Sequence, residues 1–155
     1  MSKSLARVEA ALQQAGITVE IALMGDTRTA ADAAAAVGCA VDQIAKSIIF
    51  RGESDGHVVL FLTAGGNRVD PGKASALAGQ PLGKADAALI RAETGFAIGG
   101  VAPVGHLRPV RAFLDPTLMG FDRVWAAAGT PRHVFAIAPV ELQRLCDAQV
   151  ADFTG

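Results

Sequence analysis

The sequence predicts a single α/β domain built around a mixed β-sheet. Its 155 residues are about one domain's worth, and 51% of them are hydrophobic, which is enough to form a substantial core. Helical and strand-like patterns alternate along the chain without a linker, an internal repeat or a low-complexity stretch. Several strand-like runs are separated only by short turns, and such hairpins favour a mixed sheet over a purely parallel one.

The predicted helices carry residues typical of helix ends, with a capping side chain or proline at the start and glycine at the end. They start at Ser2 or Ser4, at Ala30 after the capping pair Thr29 and Asp32, at Pro71 after Asp70, at Ala85 and at Pro139. Glycines at positions 16, 38, 79 and 95 end the first four of them. One further helical turn is expected over residues 41–45.

The predicted strands show apolar alternation or short apolar runs bounded by turn residues. They cover residues 17–22, 47–51, 57–62, 96–98, 110–114, 124–127 and 133–137. The second and third are joined by the turn-rich Gly52-Glu-Ser-Asp-Gly56 and form a predicted hairpin. The last two are separated by Ala128-Gly-Thr-Pro-Arg132, which is typical of another turn.

The charge balance argues against a protein that covers nucleic acid along its length. The chain has 14 Lys and Arg residues against 15 Asp and Glu, a net charge of −1, whereas extended binding depends on many phosphate contacts. A general DNA-binding protein is therefore disfavoured, but a local patch that holds one end of a nucleic acid is not. No charge-free run reaches the roughly 18 residues of a membrane-spanning helix. The N-terminus also lacks the apolar stretch of a signal peptide, so we expect a cytoplasmic protein with no membrane partner.

Several familiar catalytic and metal-binding motifs are absent from the sequence. Gly72-Lys73 and Gly83-Lys84 are each followed by alanine and lack the first glycine of a P-loop. There is no G-x-S-x-G motif, and the three histidines share no metal-ligand spacing with one another or with Cys39 and Cys146. We therefore predict no metal and no cofactor, and we interpret the two cysteines as reduced, buried, apolar residues.

Three features of the sequence are unusual enough to be candidate site elements. Lys46 lies among apolar positions where a helical turn meets a strand, and its side chain either extends to solvent or projects into a cleft. Gly99-Gly100, followed by Pro103 and Gly105, forms either an ordinary tight turn or a rigid loop that lets a ligand approach backbone N–H groups. His133 follows a turn and is either a lone surface or core histidine or a site residue.

These features belong to three longer segments that occur in a recognisable order. The segments are Asp42-Gln-Ile-Ala-Lys46-Ser-Ile-Ile, Thr94-Gly-Phe-Ala-Ile-Gly-Gly-Val-Ala-Pro-Val-Gly105 and Ala128-Gly-Thr-Pro-Arg-His133. Together they resemble the YbaK/ProX family of aminoacyl-tRNA deacylases, which includes the editing domain inserted in bacterial prolyl-tRNA synthetases. The resemblance covers essentially the whole chain. It implies a curved mixed sheet wrapped by helices, and hydrolysis of the ester that joins a small wrong amino acid, such as alanine or cysteine, to tRNA for proline.

The resemblance also implies roles for individual residues. Lys46 matches the functional lysine of the family, and Gly99 through Pro103 match its G-x-x-x-P loop. His133 matches a pocket histidine of some members, and Ser47 stands where several relatives have asparagine. The implied catalytic residues are Lys46, Gly99 and Gly100, and the implied substrate-binding residues are Ser47, Pro103 and His133. The implied partner is the acceptor end of a charged tRNA, with prolyl-tRNA synthetase or an elongation factor as a further protein partner.

The absence of a nucleophile motif is compatible with this chemistry. An aminoacyl ester is already activated by its α-ammonium group, so hydrolysis needs only a positioned water and donors for the developing oxyanion. The Gly99 and Gly100 amides could supply such donors, and Lys46 could hold the carbonyl, the ribose or the terminal phosphate. The alternative hypothesis is a non-catalytic module that kept the pocket and binds an aminoacyl-tRNA end or an aminoacyl nucleotide.

Overall fold

The computed structural model describes residues 2–25 and 27–155, and within them the chain forms one eight-stranded mixed sheet and five α-helices. The helices are α1 (Lys3–Gln14), α2 (Ala30–Val37), α3 (Pro71–Ala78), α4 (Ala87–Thr94) and α5 (Pro139–Cys146). The strands are β1 (Glu20–Leu23), β2 (Ile44–Gly52), β3 (Val58–Ala64), β4 (Leu82–Lys84), β5 (Arg111–Leu114), β6 (Val124–Ala127), β7 (His133–Ile137) and β8 (Gln149–Val150). Short 3-10 turns cover Val41–Gln43 and Pro116–Gly120.

The sheet has the strand order β1-β7-β6-β2-β3-β5-β8, and β4 pairs with β2 off this path. The β2–β3 hairpin is antiparallel, as predicted, whereas β6 runs parallel to β2 and β5 runs parallel to β3. Because β3 occupies one edge of β2, the strands β4 and β6 share the other edge. The sheet is therefore mixed, and the α/β class predicted from the sequence is confirmed.

The core lies on both faces of the sheet, and β3 shows this most clearly because all seven of its residues are buried. Leu60 and Leu62 pack into the larger cluster, which includes residues of α1, α4 and α5. Phe61, on the opposite face, stacks on Phe113 with ring centroids 5.1 Å apart, in a cluster that includes Ala74 of α3. Alternation along a strand sends neighbouring side chains to opposite faces, so a strand covered on both sides is almost entirely apolar, as β3 is apart from Thr63.

The starts of α2 and α3 confirm the local predictions, whereas α4 begins at Ala87 after the capping residue Asp86 and not at Ala85. Thr29 accepts a hydrogen bond from the backbone N–H of Asp32, and the Asp32 carboxylate accepts from that of Thr29, which completes a capping box. Asp70 caps α3 ahead of Pro71. These bonds satisfy N–H groups that have no partner inside the helix. Among the described helices, none is long and apolar enough to cross a bilayer.

The predicted strand over residues 96–98 is wrong. This segment forms a turn in which the Gly100 amide donates to the Ala97 carbonyl oxygen at 3.1 Å. Phe96 is fully buried, and the Arg7 guanidinium lies 4.4 Å from the centroid of its ring. The apolar character of the segment therefore reflects the packing of one aromatic ring and not the pairing of a strand.

Smaller corrections concern one helical turn and the cysteines. The helical turn expected over residues 41–45 is a 3-10 turn that ends at Gln43, because Ile44 and Ala45 already pair with β6. Cys39 and Cys146 are both free thiols, but each is only partly buried. Burial raises the pKa of the Cys146 thiol to about 12 and also raises the pKa of Cys39, so both thiols stay protonated at neutral pH.

Candidate active site

A cleft of about 540 Å³ opens beside β2, where the sheet has a gap. β6 pairs with β2 only at Ile44 and Ala45, and β4 pairs with it only from Phe50 onward. Residues 46–49 therefore lack a neighbouring strand on this edge within the described part of the chain, and all four of them line the cleft. The other lining residues include Arg28, Ala33, Ile90, Gly99, Val101, Trp125, Pro131 and Val134.

Lys46 is the basic group at the edge of this gap. It is partly buried, and its Nζ donates a hydrogen bond to the main-chain oxygen of Asn67 at 2.7 Å. Burial lowers the pKa of the Lys46 ammonium, and the nearby Arg68 guanidinium lowers it further. The carboxylates of Asp115 and Asp42 partly offset this. Lys46 therefore lines the cleft while its ammonium is bound to the Asn67 main chain, so the side chain does not simply extend to solvent.

The Asn67 carbonyl is held in place by a network that the sequence analysis did not anticipate. The Asn67 amide nitrogen Nδ2 donates to Asp115 Oδ2 at 2.9 Å and to Thr117 Oγ1 at 3.1 Å. Asp115 is almost fully buried and also accepts from the Ala64 and Thr117 amides. A buried carboxylate with several donors is fixed in position, so Asn67 is tied to the sheet next to Lys46.

Two glycines before Asn67 allow this loop to pack closely. A Cβ atom on Gly65 would lie 2.2 Å from the Val41 main-chain oxygen, and one on Gly66 would lie 2.6 Å from Asp42 Oδ1. The Gly66 amide also donates to Asp42 at 2.8 Å. The Gly-Gly-Asn sequence after a long, mostly apolar strand was the signal that could have pointed to this loop.

The predicted glycine loop reaches the cleft at Gly99. Its φ is +92°, a conformation that favours glycine, and a Cβ at this position would meet no atom within 4 Å. The Gly99 amide has no hydrogen-bond partner among the described residues. Gly100 differs, because its amide already donates to Ala97 and a Cβ there would lie 2.7 Å from the Thr130 carbonyl carbon. The amide free to bind a ligand is therefore that of Gly99, and Gly100 packs the loop against the turn before β7.

Ser47 links the glycine loop to β2. Its hydroxyl donates to the Val101 main-chain oxygen at 2.8 Å, so the two walls of the cleft are joined by a side-chain hydrogen bond. Because the hydroxyl proton is used in this way, the geometry supports a role for Ser47 in positioning the loop.

Pro103 and His133 lie outside the cleft. Pro103 lines a separate depression of about 890 Å³, together with residues of α1 and α5. His133 forms a hydrogen bond between its Nδ1 and Thr130 Oγ1 at 2.7 Å, at the base of the turn that packs against Gly100. The structure therefore brings Lys46, Ser47 and Gly99 to one cleft, and Pro103 and His133 are not among the residues that line it.

The cleft combines donor groups with apolar walls. Lys46 and the Gly99 amide offer N–H donors, while Ile49, Trp125 and Val101 supply apolar surface. Such a site suits a small apolar group attached to a polar, electron-rich centre. No group of three or more His, Cys, Asp and Glu side chains is placed to hold a metal ion anywhere in residues 2–25 and 27–155.

Comparison with known proteins shows a consistent set of similarities. The model of the aminoacyl-tRNA editing domain matches residues 25–145. A solved structure of a candidate trans-editing enzyme for prolyl-tRNA synthetase is 49% identical, with a TM-score of 0.93 over 100% of this chain and 99% of that one. The hypothetical protein APE2540 is 29% identical, with a TM-score of 0.86 over 96% of this chain and 99% of its own. The uncharacterized protein YwhH of Bacillus subtilis (strain 168) is 32% identical over 122 residues, which are 79% of this chain and 77% of YwhH.

Proposed function

Because the chain belongs to the aminoacyl-tRNA editing domain family, we propose that it is a trans-editing deacylase that releases a wrong amino acid from tRNA for proline. The proposed substrates carry a small residue such as alanine or cysteine, and the proposed place of action is the cytoplasm. The proposal depends on one observation. The partly buried Lys46 and the Gly99 amide, which has no hydrogen-bond partner among the described residues, line the same cleft.

The proposed reaction is direct attack of water on the ester carbonyl carbon. The carbonyl oxygen becomes an oxyanion, the bond to the ribose oxygen then breaks, and a proton lost by the attacking water ends on the ribose oxygen. The products are the free amino acid and a tRNA with its terminal hydroxyl restored. In the proposed mechanism the Gly99 amide, which lines the cleft and has no hydrogen-bond partner among the described residues, donates to the oxyanion. An ammonium group has three N–H donors, so Lys46 keeps two for the substrate after its bond to Asn67. Donors placed in advance at developing charge are among the strongest contributions to catalysis.

The apolar walls are the proposed basis of size selection. Ile49, Ile90, Val101 and Trp125 surround the space next to Lys46. One methylene in an apolar pocket changes the free energy of binding by about 1–3 kcal/mol. In the proposal, the walls of the cleft exclude amino acids with larger side chains and accept those with small ones. This limited discrimination is also the reason that synthetases need an editing partner.

The direct test is a deacylation screen with the purified protein. tRNA for proline is charged separately with alanine, cysteine and proline, and the release of each amino acid is followed over time. We expect rapid release of alanine or cysteine and retention of proline. Binding of the charged tRNA without release would support the non-catalytic module. If the protein neither binds the charged tRNA nor releases an amino acid from it, the deacylase hypothesis and the binding-module hypothesis are both contradicted.

The hydrogen bonds that hold the Asn67 side chain lead to a prediction about the position of Lys46. Asn67→Ala is expected to lower kcat/KM for deacylation about tenfold, because the carbonyl that orients Lys46 loses its side-chain anchors on Asp115 and Thr117. The measurement is steady-state kinetics together with a thermal melt, and Gln13→Ala on the exposed surface of α1 is the control. Unchanged kinetics in a folded Asn67→Ala protein would show that the hydrogen bonds of the Asn67 side chain do not contribute to deacylation.

The charge balance leads to a prediction about tRNA binding. Arg28 lines the cleft, and Arg68 lies close enough to Lys46 to lower its pKa. A chain with a net charge of −1 contacts few phosphates, and each contact adds about 0.7–0.9 to the log–log salt slope. We therefore expect the logarithm of the dissociation constant to rise with the logarithm of the salt concentration with a slope of about +2 to +3. A slope equivalent to eight phosphates or more would instead indicate an extensive nucleic-acid interface.

A further inference from the structure

We propose that the open edge of β2 binds the aminoacyl group through main-chain hydrogen bonds, as one residue added parallel to this strand. The inference rests on the proposed function and names how its substrate is recognised. β6, which is parallel to β2, stops pairing after Ala45, and β4 starts pairing at Phe50. The edge of β2 between these two points faces the cleft. A group bound there would lie beside β2 where β6 would lie if its pairing continued.

The direction of the main-chain groups follows from the pairing register. The Asp115 amide donates to the Leu62 carbonyl oxygen at 2.9 Å, so the main chain of Leu62 faces β5 and not β2. Leu62 is opposite Ser47 in the antiparallel hairpin. Opposite residues in an antiparallel pair either exchange hydrogen bonds or both point away, so the Ser47 amide and carbonyl point to the open edge. Ile49, two residues further on, points the same way.

The two groups that result match an α-aminoacyl ester. In a pair of parallel strands, a residue of one strand donates its N–H to the carbonyl of residue i of the neighbouring strand. The carbonyl of the same residue accepts from the amide of residue i+2 of that neighbouring strand. An aminoacyl ester carries an α-ammonium donor and a carbonyl acceptor at the corresponding positions. The Ser47 carbonyl therefore receives the ammonium, and the Ile49 amide donates to the ester carbonyl. Strand addition of this kind obtains affinity from the main chain and selectivity from neighbouring pockets.

The size of the gap limits what can bind. Four residues of a strand span roughly 13 Å, and the flanking strands β6 and β4 close both ends of the gap. A long peptide cannot extend along this edge, whereas a single aminoacyl group fits. The Ser47 side chain is engaged with Val101, and this bond leaves the main-chain groups of Ser47 available.

The first experiment removes the ammonium from the ligand. Two non-hydrolysable probes are compared by calorimetry with the wild-type chain: 3′-alanylamino-3′-deoxyadenosine and its propionyl counterpart, which lacks only the α-amino group. We expect the alanyl probe to bind about tenfold or more tightly, since the propionyl group offers nothing to the Ser47 carbonyl.

The second experiment removes a donor from the protein. Replacing Ile49 with its α-hydroxy analogue in the full chain exchanges the amide N–H for oxygen and keeps the side chain. We expect about a tenfold loss of affinity for the alanyl probe. The matched control is the same exchange at Phe50, whose amide faces β3; it should lower the melting temperature more and leave the affinity unchanged.

The outcomes separate this inference from the proposed function. Equal binding of the two probes, or unchanged affinity after the Ile49 exchange, would overturn strand-edge recognition even if the protein releases amino acids from tRNA. If the wild-type chain neither binds the alanyl probe nor deacylates any charged tRNA, the proposed function fails and this inference fails with it.

Discussion

Replacing Lys46 with alanine is expected to lower the rate of deacylation by about 10²–10³-fold while the protein stays folded. The variant removes the only lysine among the residues that line the cleft in the described part of the chain, and losing one donor to a developing oxyanion has effects of this size. The side chain is only partly buried, and among the described residues it makes one hydrogen bond, to the Asn67 main chain. Its removal should therefore change the melting temperature by only a few degrees.

Initial rates with mischarged tRNA and thermal melts should be measured on the same preparations. Lys84→Ala is the matched control, because Lys84 is an exposed lysine on β4 at the same sheet and outside the cleft. We expect wild-type rates from the control. If Lys46→Ala also keeps a near wild-type rate, the lysine is structural and the water-attack mechanism loses its main electrostatic element.

Local sequence patterns predicted the helices well, because the signals for helix ends act over a few residues. Thr29 and Asp32 form their capping box within one turn, and Asp70 caps a helix that begins at the next residue. The same holds for the hairpin of β2 and β3, whose turn residues lie between two apolar runs. Each of these elements is determined by neighbours in the chain.

The elements that local patterns missed depend on distant partners. β4 is a three-residue strand containing Gly83, and it exists because β2 supplies its pairing. The turn over residues 96–98 looked like a strand because three residues cannot distinguish an apolar run from one buried ring. The Asn67 network escaped notice because its anchor, Asp115, is 48 residues away in sequence.

In the candidate site, too, some features could be predicted from local sequence and others depend on distant strands. The family resemblance selected Lys46 and Gly99 from sequence, and the structure places both at one cleft. The open edge of β2 could not be foreseen, because it arises from where β6 stops and β4 starts pairing. A gap in a sheet is a property of three strands, and no single segment encodes it.

Replacing Gly99 with valine is expected to reduce deacylation by about 10²-fold or more, with a much smaller effect on the fold. The Gly99 φ of +92° is disfavoured for any residue with a Cβ and most of all for a β-branched one, so some stability is lost, about 1–2 kcal/mol. A Cβ here meets no protein atom within 4 Å, so the side chain extends into free space beside the cleft. The valine would then occupy the space through which the ester approaches the Gly99 amide.

Strain and obstruction can be separated because the chain offers a matched glycine. Gly79 also has a positive φ, +72°, and a Cβ there also meets nothing within 4 Å, but it ends α3 and lies away from the cleft. Gly79→Val should therefore lose a similar amount of stability and keep its activity, and Gly99→Ala repeats the comparison with a smaller side chain if the valine variant unfolds. Equal activity in the Gly99 and Gly79 variants would contradict a role for the Gly99 amide. Loss confined to Gly99, with matching melts, would show that the space beside Gly99 must stay open for the substrate, as the proposed approach of the ester to the Gly99 N–H requires.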